Sequence, residues 1–493
     1  MTPVSASAGP SGRVSGLVGG LTAILGAEAV ITDPVRLRTY ESDGLTYHRA
    51  TPGVVVLPET AEQVAAVVRL CTRTGTPFVA RGSGTGLSGG ALPRADGVLI
   101  VTSRMRRIIE IDIGNRLSVV EPGVTNLAIS EAARPYGYYY APDPSSRQVC
   151  SIGGNVAENS GGAHCLKYGF TVNHVLAIEM VAPDGEIVEL DAMDPGYDLL
   201  GAFIGSEGTL GIATKITVRL SRLPETVTTL LAAFVSVEAG GRAVSAIIGA
   251  GIVPAAIEMM DALAIEAAEA AVHCEYPAGA GAVLIVELDG PGAEVAHQFA
   301  EVERICRESG ATELRVADDV AEREAIWRGR RSAFAAVGRI SPAYLVQDGV
   351  VPRTALPEVL AGIERLSRRY GIRVANVFHA GDGNLHPLVL FDDAEEGAGE
   401  RAERVSGEIL DLCLEHGGSI TGEHGVGVDK SRHMTKMFSP EDLDTMQLVR
   451  CAFDPANLSN PGKIFPTPRL CGEVPGVRKG VHPLVASGEA ELF

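Results

Sequence analysis

The sequence lacks a CxxC pair, a basic stripe and a long apolar run. Its eight cysteines (71, 150, 165, 274, 306, 413, 451 and 471) have no framework spacing, which argues against disulfides, zinc knuckles and iron-sulfur ligation and predicts reduced thiols. Lys and Arg total 42 against 61 Asp and Glu, a net charge of -19, so the chain offers no electrostatic footprint for nucleic acid. A small acidic substrate would have to rely on local cations. No apolar run approaches the roughly 18 residues of a membrane span, so no transmembrane segment is expected. The N-terminus is small and polar, and its apolar stretch over 17–25 is broken by Gly19 and Gly20, which argues against a signal peptide. These absences predict a cytoplasmic protein.

At 493 residues the chain exceeds what one hydrophobic core supports. Its 46% hydrophobic and 21% charged residues are ordinary for a globular protein. The 58 glycines exceed the usual share of about 7% and fall in clusters, where backbone must turn sharply or approach a ligand. After a start expected to be flexible, a strand over 54–57, a helix over 60–73 opened by Thr60 and Gln63, and a strand over 78–80 lead into Arg81-Gly82-Ser83-Gly84-Thr85-Gly86-Leu87-Ser88-Gly89-Gly90. Successive N–H groups in such a run can form a nest for phosphate oxygens, although an isolated GxGxG pattern equally fits a flexible loop. Residues 87–93 show no helix, which separates the run from a Rossmann turn, and the Lys-Ser/Thr of a P-loop is missing.

Strands are expected over 98–101 and 117–121, a helix over 126–133, and then a long loop-like stretch over 138–164. A hairpin follows around Pro183-Asp184-Gly185, and Gly205-Ser206-Glu207-Gly208-Thr209-Leu210-Gly211-Ile212 opens a last strand. Four ordered motifs, RGSGTGLSGG, APDPSS, CSIGGNVAENSGG and GSEGTLGI, resemble the flavin-binding (PCMH-type) domain of the vanillyl-alcohol oxidase and p-cresol methylhydroxylase superfamily. The resemblance implies that Gly82, Ser83, Gly84 and Thr85 cradle the FAD pyrophosphate. Pro142, Asp143, Ser145, Ser146, Gly153, Gly154 and Asn155 would line the ring system, and Ile212 would meet the adenine side. Arg81, Gly86, Asn159, Gly162, Glu207, Gly208 and Gly211 join the implied cofactor set. Thr85 stands where some members attach FAD through a histidine, so the cofactor is expected to be non-covalent.

A boundary falls near 220–224, beyond which strand and helix patterns alternate to residue 308, as in an α+β substrate-covering domain. Arg330 lies in Trp327-Arg328-Gly329-Arg330-Arg331, either on a solvated face or pointing inward to hold a carboxylate. His379-Ala380-Gly381-Asp382-Gly383-Asn384-Leu385-His386 reads as a hairpin. A two-residue turn at Asp382-Gly383 would make the two histidines cross-strand partners able to share a metal. Gly422-Glu423-His424-Gly425 adds an oxygen ligand and a base. His₂Glu with open positions is a catalytic set, and by itself it would also suit a metal-dependent hydrolase.

HAGDGNLH, GEHGVG and Leu458-Ser459-Asn460-Pro461-Gly462-Lys463 resemble the FAD-dependent D-2-hydroxyacid dehydrogenases, and WRGRRSAFAAVGRISP, RVANVFHAGDGNLHPLVLF and IEMMD resemble the FAD subunits of glycolate oxidases among them. The likeness runs from about Ile31 to the C-terminus. It implies that His379, His386 and Glu423 bind a divalent metal such as zinc, Arg330 binds the substrate carboxylate, His424 is the base, and Asn384 and Asn460 contact substrate or flavin. Relatives acting on diacids carry a lysine where this chain has Val346, which suits glycolate or D-lactate. The implied organisation is a two-domain α+β flavoprotein: a flexible N-terminus over 1–30, an FAD-binding domain over 31–222, a substrate domain over 223–435 and a C-terminal segment over 436–493 returning to the flavin. Implied partners are a separate electron acceptor (an iron-sulfur subunit, a quinone or an electron-transfer protein) and a second flavin-domain-like subunit. Such partners could bring the protein to the inner face of the membrane. A flavin-binding subunit without chemistry of its own is the remaining alternative.

Overall fold

The computed structural model of the chain describes residues 12–466 and Cys471. Its first sheet orders Val30–Ile31, Val54–Val56, Val98–Val101 and Phe78–Arg81, with the last three parallel. Parallel neighbours need a crossover, and Ala61–Thr74 supplies it. Thr60 caps this helix by accepting from the Gln63 N–H, Gly75 ends it at φ 64°, and Val64, Val67, Val68 and Cys71 are fully buried against the sheet. A second, antiparallel sheet orders Ile108–Asp112, Leu117–Val120, Ile212–Arg219, Val175–Val181 and Ile187–Asp191.

Three expectations are corrected. The start expected to be flexible contains the helix Val18–Leu25, whose Leu21 is buried among Val64 and Val68, because one apolar face outweighs two glycines; residues 1–11 lie outside the described ones. Within the stretch read as loop, Ile152–Glu158 is a helix, capped by Ser151 and ended by Asn159 at φ 50°. Its two glycines erase the periodicity, and Gly153 is there for space: a Cβ would stand 2.6 Å from Pro122 Cβ. Finally, Cys451 and Cys471 form a disulfide with Cα atoms 5.5 Å apart. Their contact depends on the chain folding back onto the Pro440–Phe453 helix, for which a spacing of 20 residues gives no signal. The other six cysteines are free and buried.

The second half is built on a nine-stranded sheet running from Ala311–Val316 through Thr226–Phe234, Ala282–Gly290 and Ala256–Asp261 to Val374–His379 and beyond. Both faces are covered, so its strands are apolar on alternate and intervening residues alike. Leu230, Ala232 and Phe234 pack under Val237–Gly249 and Leu356–Tyr370. Leu231 and Ala233 join the opposite core with Ile265 and Ile326. That second core also receives Leu87 and Ala163 from the first half, so this side of the sheet faces the glycine-rich loops. The C-terminal segment then returns: Phe78 N–H donates to Leu458 O, and Asn460 N–H donates to Phe78 O, adding a one-residue bridge to the first sheet. Among the described residues, no helix is long and apolar enough to cross a membrane.

Candidate active site

A cavity of about 730 Å³ lies between the two halves. Of the residues expected to hold cofactor, Arg81, Gly82, Ser83, Gly84, Thr85, Gly86, Ser145, Ser146, Gly153, Gly154, Asn155, Glu207, Gly208, Gly211 and Ile212 line it, and His386, Glu423 and His424 lie along the same wall. The glycine run follows directly from the buried strand Phe78–Arg81, which fixes its entry. At Gly82 a Cβ would overlap Ser151 Oγ, and Gly84 sits at φ 69°, so glycine is required at both positions.

The remaining predicted residues stand behind this lining. Pro142 O accepts from Asn126 Nδ2, Asp143 binds His164, Asn159 Oδ1 accepts from the Val172 N–H, and Gly162 passes the Asp143 backbone where a Cβ would be 2.5 Å away. Asn460 Nδ2 donates to Gly90 O at 2.9 Å and to Glu207 O at 2.6 Å, tying two lining loops together.

At the other end, Val374–His379 pairs His379 with Asn384, not with His386. The connection is therefore the four residues 380–383, with Gly383 at φ 82°, and the expected two-residue turn is corrected. His386, two places beyond Asn384, falls on the same face as His379 by the period of two, so the rings still meet, at 5.0 Å between centroids. Both point at one oxygen: His379 Nε2 is 3.1 Å and His386 Nε2 3.0 Å from Glu423 Oε1. His424 Nε2 is 3.7 Å from that oxygen, and the His424 ring stacks on His386 at 4.8 Å.

Two acids not foreseen from sequence organise this cluster. Glu258 on Ala256–Asp261 is fully buried and lies 2.7 Å from His379 Nδ1. Asp348 is equally buried and accepts from the N–H groups of Gly422 and His424, from Thr421 Oγ1, Asn384 Nδ2 and Lys430 Nζ. It thereby shapes the Gly422-Glu423-His424 turn. The only local sign of either is an acid inside an apolar strand pattern.

Arg330, on the helix Val320–Val337, is 3% exposed, and the carboxylate it holds is the protein's own: its Nε donates to Glu258 Oε2 at 2.8 Å. Its Nη2 lies 2.6 Å from the same oxygen but without hydrogen-bonding geometry, and it is buried with no hydrogen-bond partner. Arg330 is thus behind His379 rather than among the cavity-lining residues, which include Arg331, Phe334, Tyr344 and Val346.

Burial works against the charge on Glu423, but His379 and His386 hold its carboxyl well below the usual range. Burial likewise opposes ionisation of Asp348, and Lys430, His424 and His386 overcome it. Burial pushes His424 down to about 4, so its imidazole is neutral at neutral pH. One ligand atom each from His379, His386 and Glu423 lies within 4.8 Å of the others, as do those of Asp348, His386 and His424. The first set fits a divalent cation better, since Asp348 already accepts from six groups, the Glu423 N–H included.

A cradle of glycine-rich loops facing a buried histidine-carboxylate cluster across a domain boundary defines an FAD-linked oxidase. Residues 52–191 match the FAD binding domain family and residues 223–464 the family of FAD linked oxidases, C-terminal domain. The chain is 53% identical over 451 residues to the glycolate oxidase subunit GlcD of Escherichia coli (strain K12), covering 91% of this chain and 90% of that one. It is 38% identical to GlcD of Bacillus subtilis (strain 168), covering 86% and 92%, and 34% identical to a D-lactate dehydrogenase of Anaerostipes hadrus, covering 85% and 90%. The chain belongs to the family of glycolate oxidase GlcD subunits. Its fold is shared with p-cresol methylhydroxylase with substrate bound, at a TM-score of 0.77 and 16% identity over 92% of this chain and 97% of that one.

Proposed function

We propose that the chain oxidises a small D-2-hydroxy acid, glycolate to glyoxylate, on non-covalent FAD. The observation that carries this reading is His424, a partly buried, neutral imidazole on the wall of the flavin cavity, beside a carboxylate shared by two histidines. When bound, FAD supplies the acceptor for the α-carbon hydride, and a divalent cation such as zinc at His379, His386 and Glu423 supplies Lewis acidity toward the hydroxyl. His424 takes the hydroxyl proton at Nε2, because the Asp348 carboxylate 3.9 Å from Nδ1 favours a proton on that nitrogen. Arg330, fastened to Glu258 behind His379, has a positioning role in this reading: it holds Glu258 against His379 Nδ1 and so orients that imidazole toward Glu423. Asn384 is held by Asp348 with its Oδ1 unpaired, and it positions substrate from the turn beside His379.

Val346 on the cavity wall offers no charge for a second carboxylate, which supports a monoacid. D-lactate is the second such acid, favoured by the D-lactate dehydrogenase relative, and a substrate panel scored by anaerobic flavin bleaching separates the two. Reoxidation falls to a separate acceptor, an iron-sulfur subunit, quinone or electron-transfer protein, in keeping with relatives named as subunits. The proposed mechanism is tested with His424→Ala. The variant is expected to stay yellow and to lose bleaching by glycolate by on the order of 10²-fold or more; unchanged bleaching removes His424 from the reaction.

A further inference from the structure

Away from the histidine cluster, the strand Ala282–Gly290 meets the flavin-binding half through two acids on one face, Glu287 and Asp289. His164 stands between halves: its Nδ1 is 2.8 Å from Asp143 Oδ2, in the loop preceding Ser145 and Ser146, and its Nε2 is 3.2 Å from Glu287 Oε1. Its backbone N–H also donates to Asp143 Oδ1. Glu287 is held from the other side by Thr229 Oγ1 at 2.6 Å and Trp327 Nε1 at 2.7 Å, and the Trp327 ring stacks on the His164 ring at 5.9 Å. Trp327 lies one helical turn before Arg330 on the same helix.

We propose that His164 is a positioning residue, a cationic bolt that fastens the substrate domain's sheet to the flavin-lining loop and releases it when the imidazole is neutral. The geometry requires the proton. A neutral imidazole has one N–H and one lone pair, so with a carboxylate at each nitrogen one contact would set lone pair against anion. Burial disfavours the charge, but Asp143 and Glu287 hold the imidazolium well above its ordinary range. Asp143 and Glu287 are the charged groups that act on it, and the titratable groups on the elements that carry these contacts bind one another: Asp289 accepts from Lys167 Nζ at 2.5 Å and from Tyr168 OH at 2.6 Å. They therefore stay closed when His164 alone titrates. Because the folded-state pKa is raised, the bolt is fully made below the ordinary histidine pKa of about 6.5 and is lost as pH rises through the folded value, on the alkaline side. The inference goes beyond the proposed oxidation and does not depend on which acid is the substrate.

Trp327 is the only tryptophan in the chain, so its emission reports on the bolt directly. In the holoenzyme, tryptophan emission is expected to change in one step as pH rises above the ordinary histidine pKa of about 6.5, and the step should be absent from His164→Gln. Glu287→Gln should lower the midpoint by about one unit or more, the effect of removing one facing anion. His164→Gln should also weaken FAD binding about tenfold, since it loosens the Asp143 loop. Emission that stays flat as pH rises in the wild type, or a step that survives in His164→Gln, overturns the proposal without touching the oxidation.

Discussion

Asp348 carries more of the site than any residue that contacts the cavity. It is a buried anion with one buried cationic partner, Lys430, at 3.0 Å and a set of backbone donors that no side chain on the turn could replace. Asp348→Asn leaves Lys430 without its counter-charge, and breaking such a pair costs about 3–5 kcal/mol. Urea unfolding should show that loss, and a double variant Asp348→Asn with Lys430→Met should recover part of it, as coupled sites do. If the two changes add without recovery, the pair does not hold the turn. Glu423 and His424 were legible as members of one cluster because carboxylate and imidazole are neighbours in one short motif. Glu258 and Asp348 were not, since each is a single acid whose partners lie 36 or more positions away along the chain, as with Asp348 and Asn384 or Glu258 and Arg330. Arg330 shows the same limit: its residues left a solvated face and an inward guanidinium equally open, and the carboxylate it meets could not be read at all.

Among the elements, those with an unbroken period were readable to within a few residues. Thr226–Phe234, Ala256–Asp261 and Ala282–Gly290 fall on short continuous apolar runs, and Val237–Gly249 on a 3.6-residue apolar pattern between them. The helix Ile152–Glu158 was hidden because Gly153 and Gly154 occupy its first turn, and glycine there serves the approach to Pro122 rather than the helix. Helix propensity and packing thus make opposite predictions for Gly153→Ala. Propensity offers about 1 kcal/mol of stabilisation, whereas the new Cβ stands 2.6 Å from Pro122 Cβ and 3.0 Å from Pro122 O, both on a rigid ring or backbone. Packing should win, with a lower melting temperature and weaker FAD binding by titration. A stabilised variant with unchanged FAD affinity would mean that Pro122 can retreat.

For the molecule as a whole, FAD and the proposed cation are expected to be separable, because the glycine loops and the histidine cluster belong to different domains. Dialysis against a chelator should leave the flavin absorbance near its starting value while abolishing bleaching by glycolate, and a divalent cation should restore it. Loss of the flavin together with the metal would contradict the two-domain division of labour. That division was legible from motif order, and the resemblance implied a C-terminal segment returning to the flavin, but not how that segment closes the first domain. Leu458, Ser459 and Asn460 extend the sheet at Phe78, and Asn460 laces Gly90 to Glu207, so a cradle begun at residue 78 is completed 382 positions later. During synthesis the flavin-binding half therefore emerges unfinished and stays so until nearly all of the substrate domain has left the ribosome. Cofactor loading is expected to be a late event on the full-length chain, and a chain cut short before Leu458 should be released with an open cradle.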